Sequence, residues 1–445
     1  MPRTTRTQFP DDFRWGVSTS ALQIEGGTDA GGRQPSVWDS FAAEPGHIRN
    51  GDTPAAACDH YHRWKEDLDL VKALGVGAYR FSVSWPRILP TGTGAVNEAG
   101  LAFYDRLVDG LLERGIEPWL TLYHWDLPQP LEDAGGWPRR DTALAFAHFA
   151  DVVSRHLGDR VKRWITHNEP WCSTIKGYYE GEFAPGKRDL AAAMQATHHV
   201  LLSHGLALPV LRANVADARC GIALSLHPIH TASNSEADRR AAIRHDGLRN
   251  RWFLDPLHGR GYPEDVLREL GDAAPTAFDG DLAIIAGRTD FLGINYYFRE
   301  IIADDPKGGP MRSRVIEPDA TDVTGFGWEV YPEGLTELLS RVKRDYQPVP
   351  IVITENGATY PDVIGEDGAI HDEQRAAYIH RHIDALRAAM DGGVDLAGYF
   401  VWSLLDNFEW AEGYSKRFGL VHVDFATQKR TMKDSGRWLA GFLKG

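Results

Sequence analysis

Cysteine is scarce: the 445 residues hold three, Cys58, Cys172 and Cys220, with no C-x-x-C spacing. So small and odd a number excludes a disulfide framework and a cysteine-built zinc site. Long apolar runs are missing as well, and without a stretch of about 18 apolar residues no transmembrane helix is expected. The N-terminal MPRTTRTQFPDDF is cationic but has no apolar core, so it does not read as a signal peptide. No N-x-S/T sequon occurs. A reducing cytoplasmic setting is therefore expected. Positive charge is in deficit, with 48 basic against 62 acidic residues and a net charge of −14. Nucleic-acid binders concentrate cations to displace phosphate counterions. Neither a nucleic-acid nor a membrane partner is expected.

Aromatic surface is plentiful: 14 Trp, 15 Tyr and 18 Phe. Tryptophan serves as core filling or as a flat face for a ring-shaped ligand, and position decides between the two. With 43% hydrophobic and 25% charged residues, the composition is globular, neither disordered nor collagenous. Length alone suggests roughly three domains at about 150 residues each. An α/β barrel, however, can exceed about 400 residues as one unit.

Short apolar or β-branched runs mark eight strand candidates: 13–17, 78–83, 118–123, 163–166, 221–226, 291–296, 351–354 and 398–402. Between them, apolar residues recur at three- and four-residue steps, the mark of helices with one buried face. Asn97, Asp141 and Asp372 stand where caps are expected, and Gly115, Gly158 and Gly392 where helices should stop. Strand–helix alternation implies parallel strands with right-handed crossovers. Eight units predict an α/β fold, a (β/α)8 TIM barrel with extended βα loops; an open doubly wound sheet is the alternative. No repeat or Ser/Pro-rich linker divides the chain, so residues 1–445 are expected to form one domain. The least patterned stretch, Asp304–Gly325, reads as a polar loop.

Several motifs fail. Gly181–Arg188 (GEFAPGKR) lacks the final Ser/Thr of a phosphate-binding loop and no apolar strand precedes it. Gly75-Val76-Gly77 lacks the third glycine of a dinucleotide fingerprint. His60/His62 and His198-His199 belong to no metalloenzyme pattern, so no metal and no cofactor is expected. What remains are the strand ends, where barrel active sites are built. They read Tyr123-His124-Trp125-Asp126, Thr166-His167-Asn168-Glu169, Asn295-Tyr296-Tyr297, Thr354-Glu355-Asn356 and Trp402-Ser403. A lone glutamate there would be a rim charge. Two, on the fourth and seventh strands, face each other across a barrel mouth and suggest glycosidic bond cleavage.

The series that surrounds these residues resembles glycoside hydrolase family 1. It runs from Phe13-Arg14-Trp15-Gly16 and Gln23-Ile24-Glu25-Gly26 through Asp59-His60-Tyr61-His62 and Arg80-Phe81-Ser82. It continues through His124-Trp125-Asp126-Leu127-Pro128, Asn168-Glu169-Pro170-Trp171, Gly293-Ile294-Asn295-Tyr296-Tyr297 and Thr354-Glu355-Asn356-Gly357 to Asp406-Asn407-Phe408-Glu409-Trp410. The resemblance implies a (β/α)8 barrel and a retaining, exo-acting β-glucosidase that takes small β-glycosides. It makes Glu355 the nucleophile and Glu169 the acid/base. Arg80 would keep Glu355 ionised, and the Glu355 charge would hold Glu169 protonated. Tyr297 would donate to Glu355. Gln23, His124, Trp125, Asn168, Asn295, Trp402, Glu409 and Trp410 match positions that grip the sugar. Phe418 would border the 6-hydroxymethyl group and Trp328 would form an aglycone platform. Trp64, Trp164 and Trp438 are left to packing. Ser225 departs from the pattern, standing where many relatives carry Asn.

Three alternatives accompany this reading. Galactose or fucose preference differs only in fine geometry. A 6-phospho-β-glycosidase is disfavoured, because the Glu409 carboxylate would repel a phosphate dianion. A non-catalytic sugar-binding relative would lack one or both carboxylates, and both are present. Oligomeric state is not legible.

Overall fold

The computed structural model describes residues 4–445. Eight parallel strands close into a barrel in sequential order. They are β1 (Arg14–Ser18), β2 (Ala78–Ser82), β3 (Glu117–Tyr123), β4 (Arg163–Asn168), β5 (Arg219–Ser225), β6 (Phe291–Asn295), β7 (Ile351–Asn356) and β8 (Leu396–Trp402). All eight expected strands are present, shifted by no more than a residue or two at their ends. β1 closes the ring by pairing with both β2 and β8. Each strand is buried on both faces, as a sheet wrapped by helices requires.

Side chains fill the barrel floor: Ala78, Trp119, Ile165, Ala223, Phe291, Val352 and Phe400 pack as one cluster. One glycine makes this possible. A Cβ at Gly16 would stand 2.3 Å from the Phe400 ring, so only hydrogen fits there. Outside the strands, the helix Glu98–Glu113 buries Leu101, Leu107, Val108 and Leu111 of the face its periodicity predicts, together with Tyr104, whereas Leu112, expected on that face, is exposed. Trp85 stacks on Phe149 at 4.9 Å between ring centroids, joining the short helix Trp85–Ile88 to the helix Arg140–Leu157. Trp164 is fully buried, and Trp64 and Trp438 pack against the core. No helix among the described residues is long and apolar enough to cross a membrane.

Three caps differ from expectation. Asn97 does precede its helix, but its carboxamide donates to the Gly31 and Arg87 carbonyls at 2.6 and 2.8 Å instead of capping. Asp141 lies inside the first turn of Arg140–Leu157, whose cap position is Arg139. Asp372 precedes Glu373–Asp391, yet its carboxylate accepts from Arg375 and from the Ser435 amide. For Asn97 and Asp372 a long-range partner outcompetes the local backbone. The Asp304–Gly325 stretch is not all loop. Ser313–Ile316 pairs antiparallel with Glu300–Asp304, and the latter also pairs with Ile229–Thr231.

A buried ionic network ties the C-terminal region to the barrel mouth. Lys433, fully buried, pairs with Asp406 at 2.7 Å and with Asp362. Arg417 reaches Asp406 at 2.7 Å and Arg375 reaches Asp362 at 3.1 Å. The network joins the loops that follow β7 and β8 to the hairpin Val421–Asp424/Lys429–Met432. Removing one partner from a buried pair strands the other's charge. Lys433→Met is therefore expected to lose about 3–5 kcal/mol of unfolding free energy. Chemical denaturation checks this, and a loss below about 1 kcal/mol would show that the network carries no strain-free stabilisation.

Candidate active site

A cavity of about 630 Å³ opens at the C-terminal ends of the strands. Its wall includes His124 and Trp125 after β3, Glu169 after β4, Ser225 on β5, Tyr297 after β6, Glu355 on β7 and Trp402 on β8. Trp328, Glu409, Trp410 and Phe418 come from the long loops that follow β6 and β8. Four residues expected at the site, Arg80, Gln23, Asn168 and Asn295, are not in the wall but lie directly behind it, hydrogen-bonded to residues that are. Three wall residues that are not glycine adopt left-handed backbone: Trp125 (φ 75°), Glu169 (φ 44°) and Trp410 (φ 51°). Such strain persists where surrounding structure over-determines the backbone, and it concentrates at functional sites.

Glu355 is gripped on both oxygens. Arg80 Nη1 donates to Oε1 at 2.5 Å and the Tyr297 hydroxyl donates to Oε2 at 2.6 Å. Arg80 also donates to the Thr354 carbonyl at 3.2 Å and to Asn168 Oδ1 at 2.6 Å, so one guanidinium spans β2, β4 and β7. Glu169 accepts from Asn295 Nδ2 at 2.7 Å and from the Cys172 thiol at 3.1 Å. Asn168 Nδ2 can only donate, so His124 Nε2, 3.1 Å away, must accept. The His124 proton then sits on Nδ1, which is buried without a protein partner. Burial, helped by the Arg80 charge, keeps this imidazole neutral by pulling its pKa well down.

Burial adds a cause that the sequence does not show. Desolvation pushes the Glu355 carboxyl up to about 7, while Arg80 pulls it down, the direction expected of the cation, and the Glu169 charge raises it further. The sequence supplies the cation; it does not supply the dry cavity. Burial likewise raises the Tyr297 phenol, which therefore stays a donor. Glu409 is also pushed well up, by burial and by the charges of Glu355 and Glu169.

Loops bring further residues that sequence reasoning missed. Arg249 stacks on the Trp171 ring at 4.5 Å and donates to Ser225 Oγ at 3.2 Å. Phe326 stacks on Trp328 with centroids 4.4 Å apart, and Phe298 packs on the same ring at 4.7 Å. His227, two residues beyond the end of β5, was within reach of the strand-end rule; Arg249 and Phe326 carry no local signal. The failed motifs have structural partners. His60 bonds Asp67 at 2.8 Å, His198 bonds Asp281 at 3.0 Å, and Lys187 of the Gly181–Arg188 loop pairs with Glu132.

Fold and site together define a class: a (β/α)8 barrel that carries a carboxylate pair at its C-terminal mouth. The chain belongs to glycosyl hydrolase family 1, whose model matches residues 5–445. It is 48% identical over 438 residues to beta-glucosidase A of Thermotoga maritima, covering 98% of each chain. A beta-glucosidase of Agrobacterium sp. is 46% identical over 449 residues, covering 100% of this chain and 97% of that one. Among solved structures, the Thermotoga maritima beta-glucosidase in complex with deoxynojirimycin superposes with a TM-score of 0.96 at 48% identity, covering 98% of both chains.

The coupling between the carboxylates has a measurable sign. Glu169→Gln removes a negative neighbour, so Glu355 should titrate below its value of about 7 in the unsubstituted protein. A carbon-13 NMR titration of glutamate-labelled protein, assigned with Glu355→Gln, reads this directly. An upward move would mean that lost hydrogen bonding, not lost charge, dominates the pair.

Proposed function

We propose that the chain is an exo-acting, retaining β-glucosidase that releases glucose from the ends of small β-glucosides such as cellobiose. The observation that carries this reading is the asymmetric pair. Glu355 is held by a guanidinium and a phenol, and Glu169 by an amide, in one cavity of about 630 Å³. The cation and the phenol favour the anion at Glu355, which makes it the nucleophile. Glu169 gives its proton to the glycosidic oxygen as the Glu355 carboxylate attacks the anomeric carbon. The C–O bond to the aglycone breaks, an ester to Glu355 forms, and the aglycone leaves as an alcohol. Esterification removes the Glu355 charge. Glu169, now a carboxylate, takes a proton from water, and the resulting hydroxide cleaves the ester and returns glucose with its configuration retained.

Sugar recognition follows from the wall and the layer behind it. We assign His124, Trp125, Trp402, Glu409 and Trp410 to hydroxyls and ring face, with Gln23 bracing Glu409 from behind at 3.4 Å. Asn168, tied to Arg80, is assigned to the 2-hydroxyl, where hydrogen bonds strengthen at the transition state. Phe418 borders the 6-hydroxymethyl group, and Trp328 with Phe326 forms the aglycone face. Lys416, which follows Glu409, is not placed to meet a 6-phosphate: its ammonium donates to the Gly325 carbonyl at 2.6 Å and lies outside the wall. Residues 1–445 are read as one catalytic domain. Three buried, unpaired cysteines support a reducing, cytoplasmic setting, with a place late in cellulose breakdown.

Three measurements test this. Glu355→Ala should lower kcat/KM on β-glucosides by at least about 10⁴-fold. Proton NMR should detect β-glucose as the first product, and first-formed α-glucose would overturn retention. In a panel of chromogenic β-glycosides, the glucoside should be cleaved and its 6-phosphate should not. The reverse preference would sink the substrate assignment.

A further inference from the structure

Thr354 stands beside the nucleophile, fully buried, and touches no part of the cavity wall's opening. Three independent features converge on its hydroxyl. The first is a register shift. β7 pairs with β6 through Ile353–Ile294 and then Glu355–Asn295, so Thr354 is the extra residue of a bulge. Bulges next to active sites re-aim side chains. The second is space. A Cβ at Gly293 would stand 2.9 Å from Thr354 Cγ2 and 3.0 Å from its Oγ1, so the glycine on β6 clears the room that the threonine fills. The third is a bond: Thr354 Oγ1 lies 2.6 Å from Asn295 Oδ1.

That bond decides which way the Asn295 amide faces. A carboxamide can flip, exchanging an acceptor for a pair of donors. The Thr354 hydroxyl is a donor toward Oδ1, which leaves both Nδ2 hydrogens for Glu169 Oε1 at 2.7 Å and Asn168 Oδ1 at 3.0 Å. A flipped amide would set its single oxygen against both the Glu169 carboxylate and Asn168 Oδ1. We propose that Thr354 is a positioning residue for the acid/base: its hydroxyl locks the Asn295 amide, and the amide locks Glu169. The chain Thr354–Asn295–Glu169 then ties the position of the acid/base to the strand that carries the nucleophile. This inference rests on the reading of Glu169 as the proton donor.

Thr354→Val keeps the shape and removes the donor, while Thr354→Ser keeps the donor. The readout is kcat/KM, which reports glycosylation, for aryl β-glucosides with leaving groups from phenol to 2,4-dinitrophenol. Departure of phenol needs a proton, whereas departure of dinitrophenolate does not. In Thr354→Val the phenyl glucoside is expected to lose about 10- to 100-fold. The dinitrophenyl glucoside should change less than about threefold, and Thr354→Ser should restore the phenyl rate. An unchanged thermal transition, followed by circular dichroism, accompanies each variant. Equal loss on both substrates, no loss on either, or no restoration by serine would overturn the proposal. Glu169→Gln separates this failure from that of the underlying reading. If Glu169→Gln leaves the leaving-group dependence flat, the acid/base assignment itself falls. If it steepens that dependence and Thr354→Val does not, only the role of Thr354 falls.

Discussion

The Arg80 guanidinium is the interaction on which the centre of the molecule depends. It is completely buried on β2, so its charge must be met inside the barrel. The partners that meet it are the Glu355 carboxylate, the Thr354 carbonyl and Asn168 Oδ1, on two other strands. An uncompensated cation at this depth would cost several kcal/mol, which no helix packed outside the barrel offsets. The strands are therefore held in one relative position by the same charge that faces the reacting carboxylate. Scaffold and site share a fastening.

Glu169, Glu355 and Glu409 line the cavity, and the Arg80 guanidinium behind its wall bonds only Glu355 of the three. Burial pushes the Glu355 carboxyl up against the pull of that guanidinium, and the Glu169 charge adds to the push. The Thr354–Asn295 link gives the site a geometric side: Asn295 donates to Glu169 at 2.7 Å from the strand next to the one that carries Glu355.

The barrel strands were legible because each is a short apolar run that ends in polar residues, the pattern of a strand buried on both faces. The carboxylate pair was legible for the same reason: Glu169 and Glu355 sit at the ends of two such runs. The caps were not. Asn97 and Asp372 occupy cap positions, but long-range partners at Gly31, Arg87 and Ser435 take their side chains, and no local window contains those partners. The strand Ser313–Ile316 was missed because it is four residues long and pairs at a sheet edge, where polar side chains are tolerated. The upward push of burial on Glu355 was not legible because a sequence displays charges and hides the dielectric around them. Arg249 and Phe326 reach the cavity on loops whose path is a tertiary outcome.

The ionic network around Lys433 has a consequence in time. The loops after β7 and β8, the second of which lines the cavity, are clasped by Lys433. During synthesis the N-terminal strands emerge first and can begin to pair. The buried acids Asp362 and Asp406, however, have no ammonium between them until Lys433 arrives. A ribosome-bound fragment that stops before Lys433 would hold both of these acids without the ammonium that bridges them. Translation order, read from the position of one lysine, makes the clasp between the two loops form after the loops themselves.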